Sequence, residues 1–426
     1  MNEPTSSPPR RAGKNAFFFV IVAVVLNMIA FGIIMPVMPA LLEDITSLPA
    51  EQSVIYGGYL SAAFAVANFF AMPVLGGLSD SIGRRPILLA AIGMLAVDLL
   101  IMGLAPSLAI LFVGRILGGL FSATNSVANA YIADVTEPDE RGRAFGMMGA
   151  AFGIGFILGP VFGGMLGEID TRLPFFVAAG IAAINFLYGL FVLPESLPEE
   201  YRRPFNAARA NPFGAFVHFA KLPQVAWFIV TIGLFQVAHA VYPSTWNFYG
   251  EIRYDWSELQ IGLSLGAVGL GSAFSQAILT GWLIKRFGPA RAALFGLSVN
   301  ALAMLGFALA SAPWMVYPII LVSALGGVAM PAINTLNSNL TPRNAQGELQ
   351  GAQASMMALT LIFSPLLMTQ TLNHFSDPAT APILFPGAAF LLASMITLLA
   401  MLPFLIGIGV NRRALARAAA QVRPAE

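Results

Sequence analysis

The chain has 426 residues, of which 57% are hydrophobic and only 10% are charged, whereas roughly a quarter of the residues in a soluble globular protein carry charge. A formal net charge of +1 argues against nucleic acid as a partner, and the absence of cysteine excludes disulfides, thiolate metal sites and cysteine nucleophiles. The three histidines, His218, His239 and His374, lack metal-ligand spacing, so we expect no metal site.

Apolar runs long enough to cross a bilayer recur along the whole chain. A hydrocarbon core about 30 Å thick needs about 20 apolar residues in helical form. The first run follows a polar, basic start without a small-residue cleavage site, so we expect it to be retained. The predicted spans are 16–38, 54–77, 86–104, 108–131, 144–166, 174–193, 224–248, 258–283, 289–310, 314–335, 348–373 and 382–407. The sequence predicts an all-α polytopic membrane protein of twelve transmembrane helices in two six-helix bundles.

Polar segments divide these spans into two halves. We expect an N-terminal segment at 1–15, a first bundle at 16–193, a linker at 194–223, a second bundle at 224–407 and a basic tail at 408–426. The tail either lies as a basic helix on the anionic inner leaflet or serves only to fix the topology.

Basic and acidic residues fall on opposite sides of the predicted membrane. Lysine and arginine accumulate in cytoplasmic loops, so the basic side predicts a cytoplasmic face. The basic set is Arg10, Arg11, Lys14, Arg84, Arg85, Arg141, Arg143, Arg202, Arg203, Arg209, Lys221, Lys285, Arg286, Arg291, Arg343, Arg412, Arg413, Arg417 and Arg423. The other side holds Glu43, Asp44, Glu51, Glu168, Asp170, Glu251, Asp255, Glu258 and Asp377, with Arg172 and Arg253. We expect a bacterial inner-membrane protein with both termini in the cytoplasm.

The loop between the second and third spans carries a distinctive pattern. Residues 76–86 contain two glycines, an acid and paired arginines, and residues 281–288 repeat the frame one half-length later. The first segment resembles the loop signature of the major facilitator superfamily. The fourth span adds Arg115, Gly118, Gly119 and the closing residues 131–134, which are similar to that family as well.

The fifth span carries small residues at the spacing typical of drug/proton antiporters of that superfamily. These are Gly146, Gly155, Gly159, Pro160, Gly163 and Gly164. Small residues let a neighbouring helix approach closely, and a proline can bend a helix. The pattern therefore indicates an antiporter, with simple helix packing as the alternative.

Further segments resemble the tetracycline/proton antiporter branch of the superfamily. They are residues 32–39 in the first span and 242–246 in the seventh, with Glu251, Arg253 and Trp256 downstream. Gln276 and Asp98 also match that branch. The chain differs from it in placing Asn27 and Asn300 where acids are known, and Ser272 at the position of a histidine.

Two charged residues lie inside predicted spans. At about 1.5 Å per helical residue, Asp98 and Arg115 reach similar depths on neighbouring antiparallel helices. A buried acid that takes up a proton is a proton carrier, whereas a permanent Asp98–Arg115 ion pair makes both residues structural. His239 in the seventh span is the other coupling candidate, or else a hydrogen-bonded wall residue.

The resemblance implies a charge cluster of Asp80, Arg84 and Asp134 at the cytoplasmic gate, which locks the outward-facing state. Asp80 can also face the start of the eleventh helix, whose exposed N–H groups favour an anion. Ordinary interfacial charges are the alternative. Ser81 stands where the family commonly has an arginine.

Uncharged polar side chains within apolar helices are the candidates for substrate contacts. They are Asn27, Asn125, Gln236, Trp246, Gln276, Asn334, Asn337, Gln350 and Gln353. Phe121, Met148, Phe152 and Phe363 suit an amphiphilic substrate, or else pack in the core or face lipid.

The first functional hypothesis is a proton-driven exporter of drug-like amphiphiles that works by alternating access. The second is a proton-linked symporter or a facilitator for a nutrient or lipid-like solute, which the missing acids at Asn27 and Asn300 allow. An enzyme is disfavoured because no motif supplies a nucleophile, base or metal set, and no P-loop or cofactor motif is present. The expected partners are a small-molecule substrate, protons and the lipid bilayer, with the chain acting as a monomer.

Overall fold

Helices account for most of the described residues in the first half of the chain. The computed structural model describes residues 14–137, 140–205, 225–341 and 345–422, and no β-strand occurs within these ranges. The predicted N-terminal segment as far as residue 13 and most of the predicted linker, 206–224, lie outside the described residues. The helices of the first half are α1 (Lys14–Ile33), α2 (Met38–Thr46), α3 (Ala50–Ile82), α4 (Arg84–Leu104), α5 (Leu108–Leu120), α6 (Thr124–Val135), α7 (Arg141–Gly167) and α8 (Leu173–Val192).

The second half repeats this arrangement with more interruptions. Its helices are α9 (Ala226–His239), α10 (Val241–Tyr254), α11 (Glu258–Phe274), α12 (Thr280–Phe287), α13 (Pro289–Leu309), α14 (Pro313–Leu325), α15 (Ala329–Leu340), α16 (Gln346–Ser376) and α17 (Ala388–Val422). A π-helical turn, Ser275–Leu279, joins α11 to α12, and a 3-10 turn, Gly326–Val328, joins α14 to α15. The described backbone of the predicted tail continues the last helix to Val422.

The helices account for the predicted spans, several of them with a break. Ten helical stretches in the described part of the chain are long and apolar enough to cross a membrane, and α1 with α2, bent by 47°, make an eleventh. The predicted span 108–131 is divided into α5 and α6 at residues 121–123. Some helices also extend beyond their predicted ends. For example, α3 covers 33 residues, Ala50–Ile82, where the sequence predicts a span at 54–77.

The two halves share one core at one end of the bundle and have separate cores at the other. We call the end that carries Glu51 and Asp377 the acidic end, and the end that carries Arg84 and Arg286 the basic end. The core towards the acidic end combines residues of both halves, among them Leu41 and Trp246. Towards the basic end, each half packs around its own cluster. The halves therefore meet at the acidic end.

Hydrogen bonds between the halves follow the same distribution. Those that join described residues of the two halves lie at the acidic end. They join Gln52 to Asp377, Asn247 to the Met35 carbonyl, Ser257 to Glu168, and Asn373 to the Glu51 carbonyl. The bundle is thus closed at the acidic end and separated towards the basic end.

Candidate functional site

A cavity of about 1010 Å³ lies between the two halves. Its walls are largely apolar, with aromatic rings among the aliphatic side chains and with amide and hydroxyl groups between them, as is usual for sites that bind small molecules. Arg115 is the one charged side chain among the described residues that line it. The aromatic lining residues are Phe31, Phe64, Phe69, Phe156, Phe235, Tyr242, Trp246, Phe248 and Phe307.

Four of the predicted substrate-contact residues line this cavity: Gln236, Trp246, Gln276 and Asn334. Gln353 stands behind one of them, because its Nε2 donates to Asn334 Oδ1 over 3.2 Å. The cavity therefore gathers amide groups along the second half. The remaining candidates lie elsewhere: Asn27 and Asn337 are buried away from the lining, Gln350 is exposed, and the side chain of Asn125 lies outside the described part of the structure.

Trp246 is held by both its polar and its apolar atoms. Its indole Nε1 donates to Ser264 Oγ over 2.9 Å. Its ring lies 5.0 Å from that of Phe307 and 6.1 Å from that of Tyr242, in edge or tilted contacts that are favourable for aromatic pairs. Trp246 is only 3% exposed, so it forms a fixed part of the cavity wall.

Asp98 and Arg115 form a buried ion pair beside the cavity. Arg115 Nη2 donates to Asp98 Oδ2, with Asp98 1% and Arg115 12% exposed at the side chain. Gly118 makes room for the acid, because a Cβ there would lie 2.9 Å from Asp98 Cγ. Arg115 also lies over the Phe64 ring at 5.3 Å, in a cation–π contact. Arg115 lines the cavity, whereas Asp98 lies behind it.

His239 also lines the cavity, at the end of α9. Its ring packs between those of Phe235, at 5.3 Å, and Tyr242, at 5.0 Å. The structure therefore places His239 on the opposite half from Asp98 and Arg115.

The positions at which the chain differs from the tetracycline/proton antiporter branch have different surroundings. Asn300 and Ser272 line the cavity. Asn300 Nδ2 donates over 2.8 Å to the carbonyls of both Gly296 and Gly326, so its amide braces the break between α14 and α15. Gln276, which matches that branch, also lines the cavity. It lies within the π-helical turn, a distortion frequently found at functional sites.

The predicted gate residues form one cluster at the basic end. Arg84 pairs with Asp80 and also donates from Nε to Asp134 Oδ2 over 3.1 Å. All three residues belong to the first half. The Asp80 carboxylate is half exposed, and its backbone carbonyl accepts from the Arg203 amide. The cluster therefore ties the loop after α3 to the end of α6.

Glu195, which the sequence patterns do not indicate, completes this cluster. Its carboxylate accepts from the backbone amides of Arg84 over 2.8 Å and Arg85 over 3.2 Å. These are unpaired amides at the start of α4, where a negative charge is favoured. Glu195 therefore holds the start of α4 against the segment that follows α8.

The glycines of the fifth predicted span serve two neighbours. A Cβ on Gly159 would lie 2.8 Å from Gly32 Cα, and one on Gly163 would meet the Ile33 carbonyl, so this face packs directly on α1. A Cβ on Gly164 would lie 2.8 Å from Leu259 Cα in the other half. The pattern therefore builds both the first bundle and the seam between the bundles.

The remaining residues of this pattern differ in their surroundings. Gly155 packs on α1 as Gly159 does, and Pro160 lies against Gly32 and Gly262. A Cβ on Gly146, towards the basic end, would meet nothing within 4 Å. This difference agrees with halves that separate towards the basic end.

The chain resembles known transporters along nearly its whole length. A family model described as Major Facilitator Superfamily matches residues 20–365 and 254–420. Tetracycline resistance protein, class C, of Escherichia coli is 40% identical over 356 residues, which cover 84% of this chain and 89% of that protein. The class G protein of Vibrio anguillarum is 38% identical, with 84% and 90% covered.

Solved structures show the same architecture. A bacterial homologue of the human lysosomal transporter Spinster, in an inward-facing and unoccupied conformation, superposes with a TM-score of 0.76 at 17% identity, covering 94% of this chain and 97% of that one. At that identity the likeness establishes a shared fold.

Proposed function

Because the chain belongs to the Major Facilitator Superfamily, we propose that it is a secondary active transporter that exports small amphiphilic molecules, tetracycline-like compounds among them, in exchange for protons. The observation that carries this proposal is an aromatic, amide-lined cavity between two halves that are joined at one end only. Such an arrangement suits alternating access, in which the halves rock around a central site. The identity to tetracycline resistance proteins supports the substrate class.

The basic end is proposed to face the cytoplasm of a bacterial cell, with both termini on that side. The excess of lysine and arginine at this end supports the orientation. In that orientation the cavity of the present structure is open inward, and substrate enters from the cytoplasm or the inner leaflet. The chain is proposed to act as a monomer, without a cofactor.

Asp98 is the proposed proton carrier, with Arg115 as its partner. While Asp98 is ionised, the pair is neutral overall. When Asp98 takes a proton, Arg115 retains an uncompensated positive charge at the cavity wall. A cationic group on a substrate is repelled by that charge, so proton and substrate exclude each other, as exchange requires. His239 is a second candidate for coupling from the opposite wall.

Substrate contacts are proposed for Gln236, Trp246, Gln276 and Asn334, supported by their places in the cavity. Asp80, Arg84 and Asp134 are proposed as the gate at the basic end, supported by their mutual ion pairs. The glycines around Pro160 are proposed to keep the seam between the bundles tight against leakage.

The second candidate function is a symporter or facilitator, and Asn300 favours it. An amide here fixes backbone carbonyls and carries no proton, although the related branch has an acid at this position. Counterflow of labelled substrate without a pH gradient would distinguish this function from obligatory exchange.

The test is tetracycline-stimulated proton movement in proteoliposomes. We expect native protein to release protons when tetracycline is added, and Asp98→Asn to abolish the response. Asp255→Asn is the matched control, because Asp255 is exposed and adopts a left-handed conformation (φ 55°) that asparagine tolerates. Tetracycline that moves without any proton flux, or an unchanged response in Asp98→Asn, would contradict the proposed coupling.

A further inference from the structure

The first membrane span is broken in a way that leaves one backbone carbonyl without its usual partner. Helix α1 ends at Ile33 and α2 begins at Met38. In a continuous α-helix the N–H of residue 39 donates to the carbonyl of residue 35. Residue 39 is a proline, which has no N–H. The Met35 carbonyl therefore needs a donor from outside its own helix.

That donor comes from the opposite half. Asn247 Nδ2, on α10, donates to the Met35 carbonyl oxygen. Asn247 is 9% exposed, and both residues line the cavity at its closed, acidic end. The bond therefore spans the seam that must separate if the acidic end is to open, and it lies within reach of a molecule in the cavity.

We propose that Asn247 is a latch that links occupancy of the cavity to opening of the acidic end. A substrate whose leading edge carries ketone, phenol or amide oxygens accepts from the Asn247 amide and displaces the Met35 carbonyl. That carbonyl is then satisfied best by water, which enters when the seam opens. Asn247 thus contacts the substrate when the cavity is occupied and the Met35 carbonyl when it is empty. The inference rests on the proposed function in taking the cavity as the site of a transported amphiphile.

A second bond of the same kind provides a matched control. Asn373 Nδ2 donates to the Glu51 carbonyl over 2.7 Å, across the same seam. Neither Asn373 nor Glu51 is among the residues that line the cavity. Loss of this bond should loosen the seam as much as loss of the Asn247 bond, but without touching the link to substrate.

The chain offers a direct reporter of seam opening because it contains no cysteine. Thr369 is fully buried against Gly58 of the other half and is absent from the cavity lining. Thr369→Cys removes one methyl group and replaces the hydroxyl by a thiol, and this thiol becomes reactive only when the acidic end opens. We would measure the rate of its modification by a charged thiol reagent in nanodiscs, with and without tetracycline, and measure tetracycline binding separately by equilibrium dialysis.

In the reporter background, we expect tetracycline to raise the modification rate about 5-fold, the change in equilibrium that one neutral hydrogen bond typically accounts for. Asn247→Ala should raise the basal rate by a similar factor and abolish the response to tetracycline. Asn247→Asp, which keeps the shape and has no donor while it is ionised, should do the same at alkaline pH. Asn373→Ala should raise the basal rate and keep the response.

A tetracycline response that survives in Asn247→Ala as it does in Asn373→Ala would overturn the latch. So would tetracycline that binds without changing the rate in the reporter background. If tetracycline does not bind at all, the proposed function fails for this compound. In that case the latch is tested by the modification rate of the Thr369→Cys thiol without ligand. If both Asn247 variants leave that basal rate unchanged, the latch is overturned.

Discussion

The Asp98–Arg115 ion pair can be broken by replacing either residue, and we expect the two substitutions to lower stability by different amounts. Removing one partner of a buried ion pair typically costs about 3–5 kcal/mol, because the other charge stays buried without compensation. Measured at alkaline pH, where a proton does not neutralise the remaining Asp98, which is 1% exposed, Arg115→Gln should incur a cost near the top of that range. Asp98→Asn leaves Arg115 at the edge of the cavity, where solvent reaches it, so we expect a cost of about 1–2 kcal/mol.

The double variant Asp98→Asn/Arg115→Gln separates stability from coupling. With no buried charge left, it should unfold within about 1 kcal/mol of the native protein, yet it should show no tetracycline-stimulated proton movement. Thermal unfolding followed by tryptophan fluorescence gives the order of the four proteins, and the proteoliposome assay gives the coupling. The reasoning is refuted if Asp98→Asn is less stable than Arg115→Gln, or if the double variant still couples.

Smaller perturbations examine packing, capping and topology. Gly163→Ala should lower the midpoint of thermal unfolding, because its Cβ would collide with a carbonyl of α1, whereas Gly146→Ala has open space and should be neutral or slightly stabilising. Glu195→Ala should cost about 1–2 kcal/mol by uncapping α4, and the exposed Glu200→Ala should change stability little; equal effects would contradict the capping. In intact cells, Glu200→Cys should react only from the cytoplasm and Ile169→Cys only from outside, and the reverse would invert the proposed topology.

The family resemblance and the fold class predicted from the sequence are confirmed. Both depend on features that are local in the chain, namely apolar runs of membrane length and short loop patterns. The break at residues 121–123 is not predictable in this way, because no proline or glycine stands there. Gly118 and Gly119 stand just before it, but glycines also occur inside unbroken helices of this chain, such as α7, so they do not locate the break.

The cavity is only partly predictable for a geometric reason. An amide in an apolar helix marks a residue that needs a polar surrounding. This criterion selects Gln236 and Asn334, but it selects Asn27 and Asn337 equally. Which way each amide points depends on the rotation of its helix against its neighbours, and sequence periodicity does not set that rotation. Asn27 and Asn337 point away from the cavity lining.

Residues whose partners are distant in the chain cannot be predicted from the sequence patterns. Asn247 bonds to a carbonyl 212 positions away, and Glu195 bonds to an amide 111 positions away. Neither distance corresponds to a repeat or a helical period. Their roles follow from a broken helix in one case and an uncapped helix start in the other, and both features become visible only when the chain is folded.

The basic-end turn shows what the internal repeat preserves and what it changes. Gly83 and Gly288 each precede a helix with a positive φ, 110° and 78°, a conformation that glycine adopts most easily. The Glu195 carboxylate packs against Gly83, whereas a Cβ on Gly288 would meet nothing within 4 Å. The repeat thus preserves the backbone of the turn, while the first half adds the acids that fix it. Closure of the basic end should therefore depend on side-chain charge in the first half and mainly on backbone position in the second.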